Sequence, residues 1–282
     1  MVVYPIGMRK IPRMLIKRIL ASLILAAIGI PAVIFGGYYF FALITILLGI
    51  AAWEYWHIFK DAGVNGSEPL LVGGVVLLVT IRVFLPGYAG AALALLILFT
   101  MSWHLVEYER GRNTAATDFS VTVGGIVYLG WVGAFLMDLR TMESGLWWFL
   151  SVLPSIWIAD TAAYFVGSKF GRHPLTPRLS PKKTWEGYWA GVFFGTVGGA
   201  GLALLWHGIG GPEIPWWQGA ILGGILSILT TLGDLGESMI KRQAGVKDSS
   251  NIIPGHGGVF DRLDSWIWGG ALGFFIITVF FR

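Results

Sequence analysis

The chain has 282 residues, 55% of them hydrophobic and only 13% charged, with a mean hydropathy of +0.71. Soluble domains carry about 25% charged residues, so this composition excludes an ordinary soluble protein and indicates an all-α, polytopic integral membrane protein. The absence of cysteine excludes a disulfide framework, a thiolate zinc site and thiol catalysis, and the net charge of +4 matters through its distribution across a bilayer more than through its total.

In chain order, residues 1–18 form a basic arm with Arg9, Lys10, Arg13, Lys17 and Arg18. Residues 19–36 are free of charge and about long enough to cross a bilayer. The run is long and another follows at once, so it reads as a retained first helix rather than a cleaved signal. Further spans are expected at 38–59, 70–85, 88–106, 117–137, 146–167, 188–206, 216–233 and 266–281. The third is interrupted by Arg82, and the eighth continues as a helix beyond the membrane. Nine spans starting from a cytoplasmic N-terminus leave only Arg82, Arg140 and Arg282 of the 20 Lys and Arg outside, as the positive-inside rule demands.

Two polar stretches stand out from this apolar background. In the first, Asp160, Tyr164, Gly167 and Gly171 fall on one stripe of the sixth helix. The glycines read best as sites of close helix approach. Asp160 has no base at helical spacing, so it reads as a cavity-lining carboxylate whose partner comes from another segment. Ser180-Pro-Lys-Lys-Thr-Trp-Glu-Gly187 then opens the seventh helix, and two readings stay open. Ser180 or Thr184 caps the helix with Glu186 in its first turn, or Lys182 and Lys183 make its N-terminus a polyphosphate cradle. Glu54 and His104 read as interfacial or structurally paired, the 14 tryptophans mostly as interfacial belts, and His57, His173 and His207 as surface residues.

The second stretch, residues 233–264, lies between the last two spans. Asp234, Glu237, Ser238 and Lys241 share one helical face, and Asp261 and Asp264 repeat the i, i+3 spacing where the next helix begins. A charged run between spans is ordinarily a solvated loop. Here the acids begin inside the end of an apolar helix, where a lone carboxylate costs roughly 2.5–3.5 kcal/mol. Between them, Pro254-Gly-His-Gly-Gly258 is a loop whose small residues let backbone N–H groups approach a ligand. Carboxylates on two helix ends, with Lys and Arg among them, suit a hard cation and a phosphate together.

Ser238-x-x-Lys241-Arg242-x4-Lys247-Asp248-x-Ser250-x-x-Ile253-Pro254-x-His256-Gly257-Gly258-Val259-x-Asp261-Arg262-Leu263-Asp264 resembles the signature of the CDP-diacylglycerol synthase (phosphatidate cytidylyltransferase) family. The Asp160-x-x-Ala-Tyr164-x-x-Gly167 helix and the Ser180–Gly187 segment resemble the same family. The resemblance covers about residues 157–264; residues 1–115 agree only in hydropathy and in fragments such as Trp53-Glu-Tyr55. It implies an N-terminal part of about four spans (1–115) and a catalytic part of about five (116–282) in the inner membrane, with its site facing the cytoplasm. The implied reaction is attack by phosphatidic acid on the α-phosphorus of CTP, releasing pyrophosphate and forming CDP-diacylglycerol.

On that reading Asp234, Asp264 and Asp261 hold Mg²⁺, with a second cation such as K⁺ forming a pair, and Asp160 borders the same chamber. Lys182, Lys183 and Arg262 contact phosphates, with Lys241, Arg242 and Lys247 nearer the mouth. Ser180, Thr184, Tyr164, His256, Gly257 and Gly258 line the substrates. The partners are CTP, phosphatidic acid and membrane lipid, with a homodimer allowed and no nucleic acid. A CTP-dependent polyprenol kinase and a cation transporter using Asp160 and Asp234 are the competing readings.

Overall fold

The computed structural model describes residues 13–253 and 257–281, with side chains from Ser22 onward in those ranges. The expectations placed on Arg9, Lys10, Arg282 and His256 lie outside the described residues. Helices α1 (Arg13–Phe35), α2 (Gly37–Asp61), α3 (Glu68–Phe84) and α4 (Ala89–Glu109) form the first half. They are followed by α5 (Ala115–Gly125), α6 (Phe135–Thr141), α7 (Gly145–Phe170), α8 (Trp185–Gly208), α9 (Trp216–Gln243) and α10 (Phe260–Phe280). Among the described residues seven helical segments are long and apolar enough to cross a membrane: Gly37–Asp61, Pro86–Glu109, Ala115–Thr141, Gly145–Phe170, Trp185–Gly208, Trp216–Gln243 and Phe260–Phe280. α1 adds the shorter apolar stretch Ser22–Phe35, and α3 has 17 residues. The chain is therefore an all-α polytopic membrane protein, its exposed Leu, Phe and Trp side chains facing lipid.

Two local departures from plain α-helix matter. The segment Ile126–Val132, between α5 and α6, is π-helical, with Gly133 N–H donating to Tyr128 O at 3.1 Å. The second is an antiparallel hairpin of β1 (Pro174–Thr176) and β2 (Ser180–Thr184). Ser180 was a candidate helix cap, but it lies in β2, because the following Pro181 disfavours helical backbone at residue 180. Thr184 is the cap instead, its hydroxyl accepting from Gly187 N–H at 3.3 Å.

α7, α8 and α9 meet at backbone level. Gly187, Gly191, Gly195 and Gly199 form a buried stripe along α8. A Cβ at Gly187 would sit 2.6 Å from Ala163 O, and one at Gly199 would strike the Gly219 carbonyl. Lipid gives helices no hydrophobic incentive to associate, so this close approach supplies the packing energy. Gly199→Leu is expected to cost about 3 kcal/mol or more, read as a lowered unfolding temperature in detergent. Gly201→Ala on the same helix, where a Cβ meets nothing within 4 Å, is the control; equal melting of the two variants would contradict the contact.

Two of the three arginines expected outside have partners in the fold. Arg82 pairs with Asp138 at 2.5 Å, its guanidinium lying 4.0 Å from the Phe135 ring centroid. Arg140 donates to Val33 O at 2.7 Å and Ile34 O at 3.1 Å, satisfying carbonyls at the end of α1. At the turn into α2, Gly36 has φ +64°, and a Cβ there would lie 2.7 Å from that guanidinium.

Candidate active site

The site forms where α9 meets α10. A Cβ at Gly233 would fall 2.6 Å from Trp268 and 2.9 Å from Asp264 O, so glycine lets the two helices touch here. The next turn of α9 carries Asp234 and Glu237 at i, i+3, and α10 presents Asp264. One carboxylate oxygen from each lies within 4.8 Å of the others. Glu237 and Asp264 are buried and Asp234 is half-buried. Lys183, at the end of β2, donates to Asp234 Oδ2 at 2.5 Å, and the Ser238 hydroxyl reaches Asp234 Oδ1 at 3.4 Å. Asp160, on α7, was expected to border the same chamber; it is exposed and is not one of the three gathered carboxylates.

Asp261 stands beside this trio and is fully occupied. Its Oδ1 accepts from Lys241 Nζ at 2.7 Å, and its Oδ2 accepts from Ser249 N–H at 3.0 Å and Gly258 N–H at 2.8 Å. Lys241 also lies 2.9 Å from Glu237 Oε1. Gly257 has φ +86°, and a Cβ there would sit 2.6 Å from Asp261 Oδ2. Gly257 and Gly258 thus lie against Asp261, and Glu237 takes the third place among the gathered carboxylates.

The remaining expected residues are not brought into this carboxylate group. Lys182, Arg242, Lys247 and Arg262 are exposed, with Arg242 donating to Val246 O at 3.2 Å. Ser180 is half-buried in β2, and Tyr164 is 71% exposed. Glu186 holds the base of the hairpin, accepting from Arg172 and His173 N–H and meeting the His173 ring at 2.6 Å. That contact accounts for the first-turn glutamate that closes the Ser180–Gly187 segment.

The donor set fits a hard cation. Three carboxylates at this spacing, two of them buried, repel one another strongly without a counter-charge. Glu237 Oε1 is buried and has no aligned hydrogen-bond donor despite the nearby Lys241. Oxygen-only ligands select Mg²⁺ or a similar ion over zinc or copper.

The chain matches the model of the cytidylyltransferase family over residues 16–280. It belongs to that family. A relative from Synechocystis sp., named phosphatidate cytidylyltransferase, is 30% identical over 93% of this chain and 96% of its own length. Proteins of the same name from Pseudomonas aeruginosa and Brucella suis are 34% and 32% identical. They cover 89% and 93% of this chain, and 93% of their own length in each case. The cytidylyltransferase likeness therefore extends well beyond residues 157–264, through the N-terminal helices.

A link between those helices and the site was not expected from sequence. Glu54, on α2, is fully buried. It accepts from the hydroxyls of Ser249 at 3.1 Å and Ser250 at 2.5 Å, and from the N–H groups of Val259 at 3.0 Å and Phe260 at 2.7 Å. The two N–H groups are the unpaired donors at the start of α10, so this cytidylyltransferase anchors that helix start and Ser249–Ser250 on a carboxylate from the first half of the chain. The sequence signal was a lone acid in an apolar span; its partners, about 200 residues away, carried no spacing to read.

Proposed function

We infer that this chain transfers the cytidylyl group of CTP to the phosphate of phosphatidic acid, forming CDP-diacylglycerol and releasing pyrophosphate. The observation that carries the reading is the gathering of Asp234, Glu237 and Asp264, with Lys183 paired to Asp234, in a family whose relatives bear the phosphatidate cytidylyltransferase name. A lipid phosphate oxygen bonds to the α-phosphorus, the bond from that phosphorus to the bridging oxygen breaks, and the electron pair leaves with pyrophosphate. The nucleophile is already an anion, so no strong base is needed. The difficulty is bringing two anions together and stabilising the leaving group.

Asp234, Glu237 and Asp264 are the residues that would hold Mg²⁺. The bound ion would neutralise phosphate charge and polarise the α-phosphoryl group. Lys183 is placed to shield phosphate from Asp234 and Asp264, while exposed Lys182 and Arg262 guide the triphosphate from the aqueous side. Asp261 and Lys241 hold the glycine loop in shape, and Thr184 fixes the turn that aims Lys183. The basic residues expected on one face of nine spans support a site facing the cytoplasm, in the inner membrane of a bacterium-like cell.

Purified protein in mixed micelles, given labelled CTP, phosphatidic acid and Mg²⁺, is expected to yield labelled CDP-diacylglycerol and pyrophosphate, with no product after chelation. CDP as the released nucleotide would instead indicate a lipid kinase. Lys183→Met is expected to lower kcat/KM about 100-fold, the scale of one lost charge-stabilising donor, while the unfolding temperature stays near wild type. A change below threefold would remove Lys183 from the reaction.

A further inference from the structure

Glu186, in the first turn of α8, does more than complement the helix dipole. Its side chain turns back across the base of the hairpin. Oε2 accepts from the N–H groups of Arg172 and His173 at 3.1 and 3.3 Å, and Oε1 meets the His173 ring at 2.6 Å. Arg172 and His173 lie between the last residue of α7, Phe170, and the first of β1, Pro174, so their N–H groups fall outside the paired strands. The carbonyl of His173 is taken at the same point, by Trp185 N–H at 2.9 Å. One carboxylate therefore ties the exit from α7 to the start of α8, and the strands between them close as a loop.

That loop carries Lys183. It stands in β2 three residues before Glu186, and its Nζ lies 2.5 Å from Asp234 Oδ2 on α9. The flexible four-carbon stem of a lysine has no fixed geometry of its own, so the place of its ammonium depends on the strand that bears it. A hairpin of two strands is at best marginally stable alone, and these strands have three and five residues. Its hold on the rest of the fold comes from its base. There Thr184 packs so closely on α7 that a Cβ at Gly171 would sit 2.6 Å from its Oγ1, and Glu186 clamps the opposite strand.

We propose that Glu186 is a positioning residue for cytidylyl transfer: it fixes the strand that aims Lys183 at the acidic site, and acts on the reaction only through that lysine. The proposal rests on the cytidylyl-transfer reading and on the part that reading gives Lys183.

A double-mutant cycle in the labelled-CTP assay tests it, because a residue that works through Lys183 has nothing left to act on once that lysine is gone. Glu186→Ala is expected to lower kcat/KM about tenfold, short of the roughly 100-fold that a misplacement of about 1 Å costs. Glu186→Gln keeps an oxygen for the two N–H groups and should stay within about threefold of wild type. In protein already carrying Lys183→Met, Glu186→Ala should cost less than about a further twofold. Losses that multiply, to about 1,000-fold in the double variant, would show that Glu186 acts apart from Lys183, a reduced folded fraction included, and overturn the proposal. So would wild-type rates in Glu186→Ala, or a Gln variant as slow as the Ala variant. Wild-type protein that makes no CDP-diacylglycerol overturns the functional reading and the positioning role with it, whereas multiplying losses in an active enzyme overturn the positioning role alone.

Discussion

Asp234→Asn is expected to leave the protein folded and inserted but to lower kcat by about 1,000-fold or more. Asp234 is half-buried, and its neighbours are Lys183 at 2.5 Å, Ser238, and the carboxylates of Glu237 and Asp264. The amide keeps the side-chain volume and one accepting oxygen, so the local packing is kept. What disappears is one negative charge at the point where cation and triphosphate must meet, and such preorganised electrostatics carry the largest share of a phosphoryl-transfer barrier. Asp261→Asn provides the contrast. Its carboxylate is held by Lys241 and two backbone N–H groups, so its loss acts through the glycine loop and should lower the unfolding temperature as well as the rate. The labelled-CTP assay with thermal unfolding in detergent separates the two; near-normal turnover of Asp234→Asn would exclude it from the chemistry.

Glu54→Ala is expected to have the largest effect on stability, about 3–5 kcal/mol, although the residue lies on the second helix and touches no substrate. Four donors converge on it, two from Ser249 and Ser250 and two from the first N–H groups of α10. Removing the carboxylate leaves those donors in a dry interior and takes negative charge from a helix N-terminus, where it is favourable. Glu54→Gln retains one accepting oxygen but points an NH₂ group at other donors, so an intermediate loss is expected. Unfolding temperatures ordered wild type, Gln, Ala, with activity falling in step, would support the anchor. A Glu54→Ala protein as stable as wild type would exclude it.

The helical architecture was legible because hydropathy in a bilayer is nearly a one-dimensional signal: backbone polar groups must pair within each segment. The meeting of Asp234 with Asp264 was legible through acids displaced from loops into apolar helices. Glu237 shares a helical face with Asp234, so its presence near the site was readable, but not its precedence over Asp261. That depends on Lys241 and the glycine loop saturating Asp261, a three-dimensional contest that spacing does not record. The hairpin was obscured because Ser180–Gly187 carries a plausible helix start at either end, and only the backbone preference imposed by Pro181 decides between them. Glu54 read as interfacial or structurally paired; it is paired, but with which residues could not be read from spacing.

The π-helical segment at Ile126–Val132 sets the phase of everything downstream of it. Each wide turn there accommodates backbone beyond the regular repeat, and one residue more or less rotates a helix by about 100°. Excising a single residue would let the segment relax to ordinary winding, swinging Asp138 away from Arg82 and Arg140 away from the carbonyls it seals. Substitutions along this stretch should therefore be far better tolerated than a one-codon deletion, and its length, more than its side chains, is the quantity natural variants must keep.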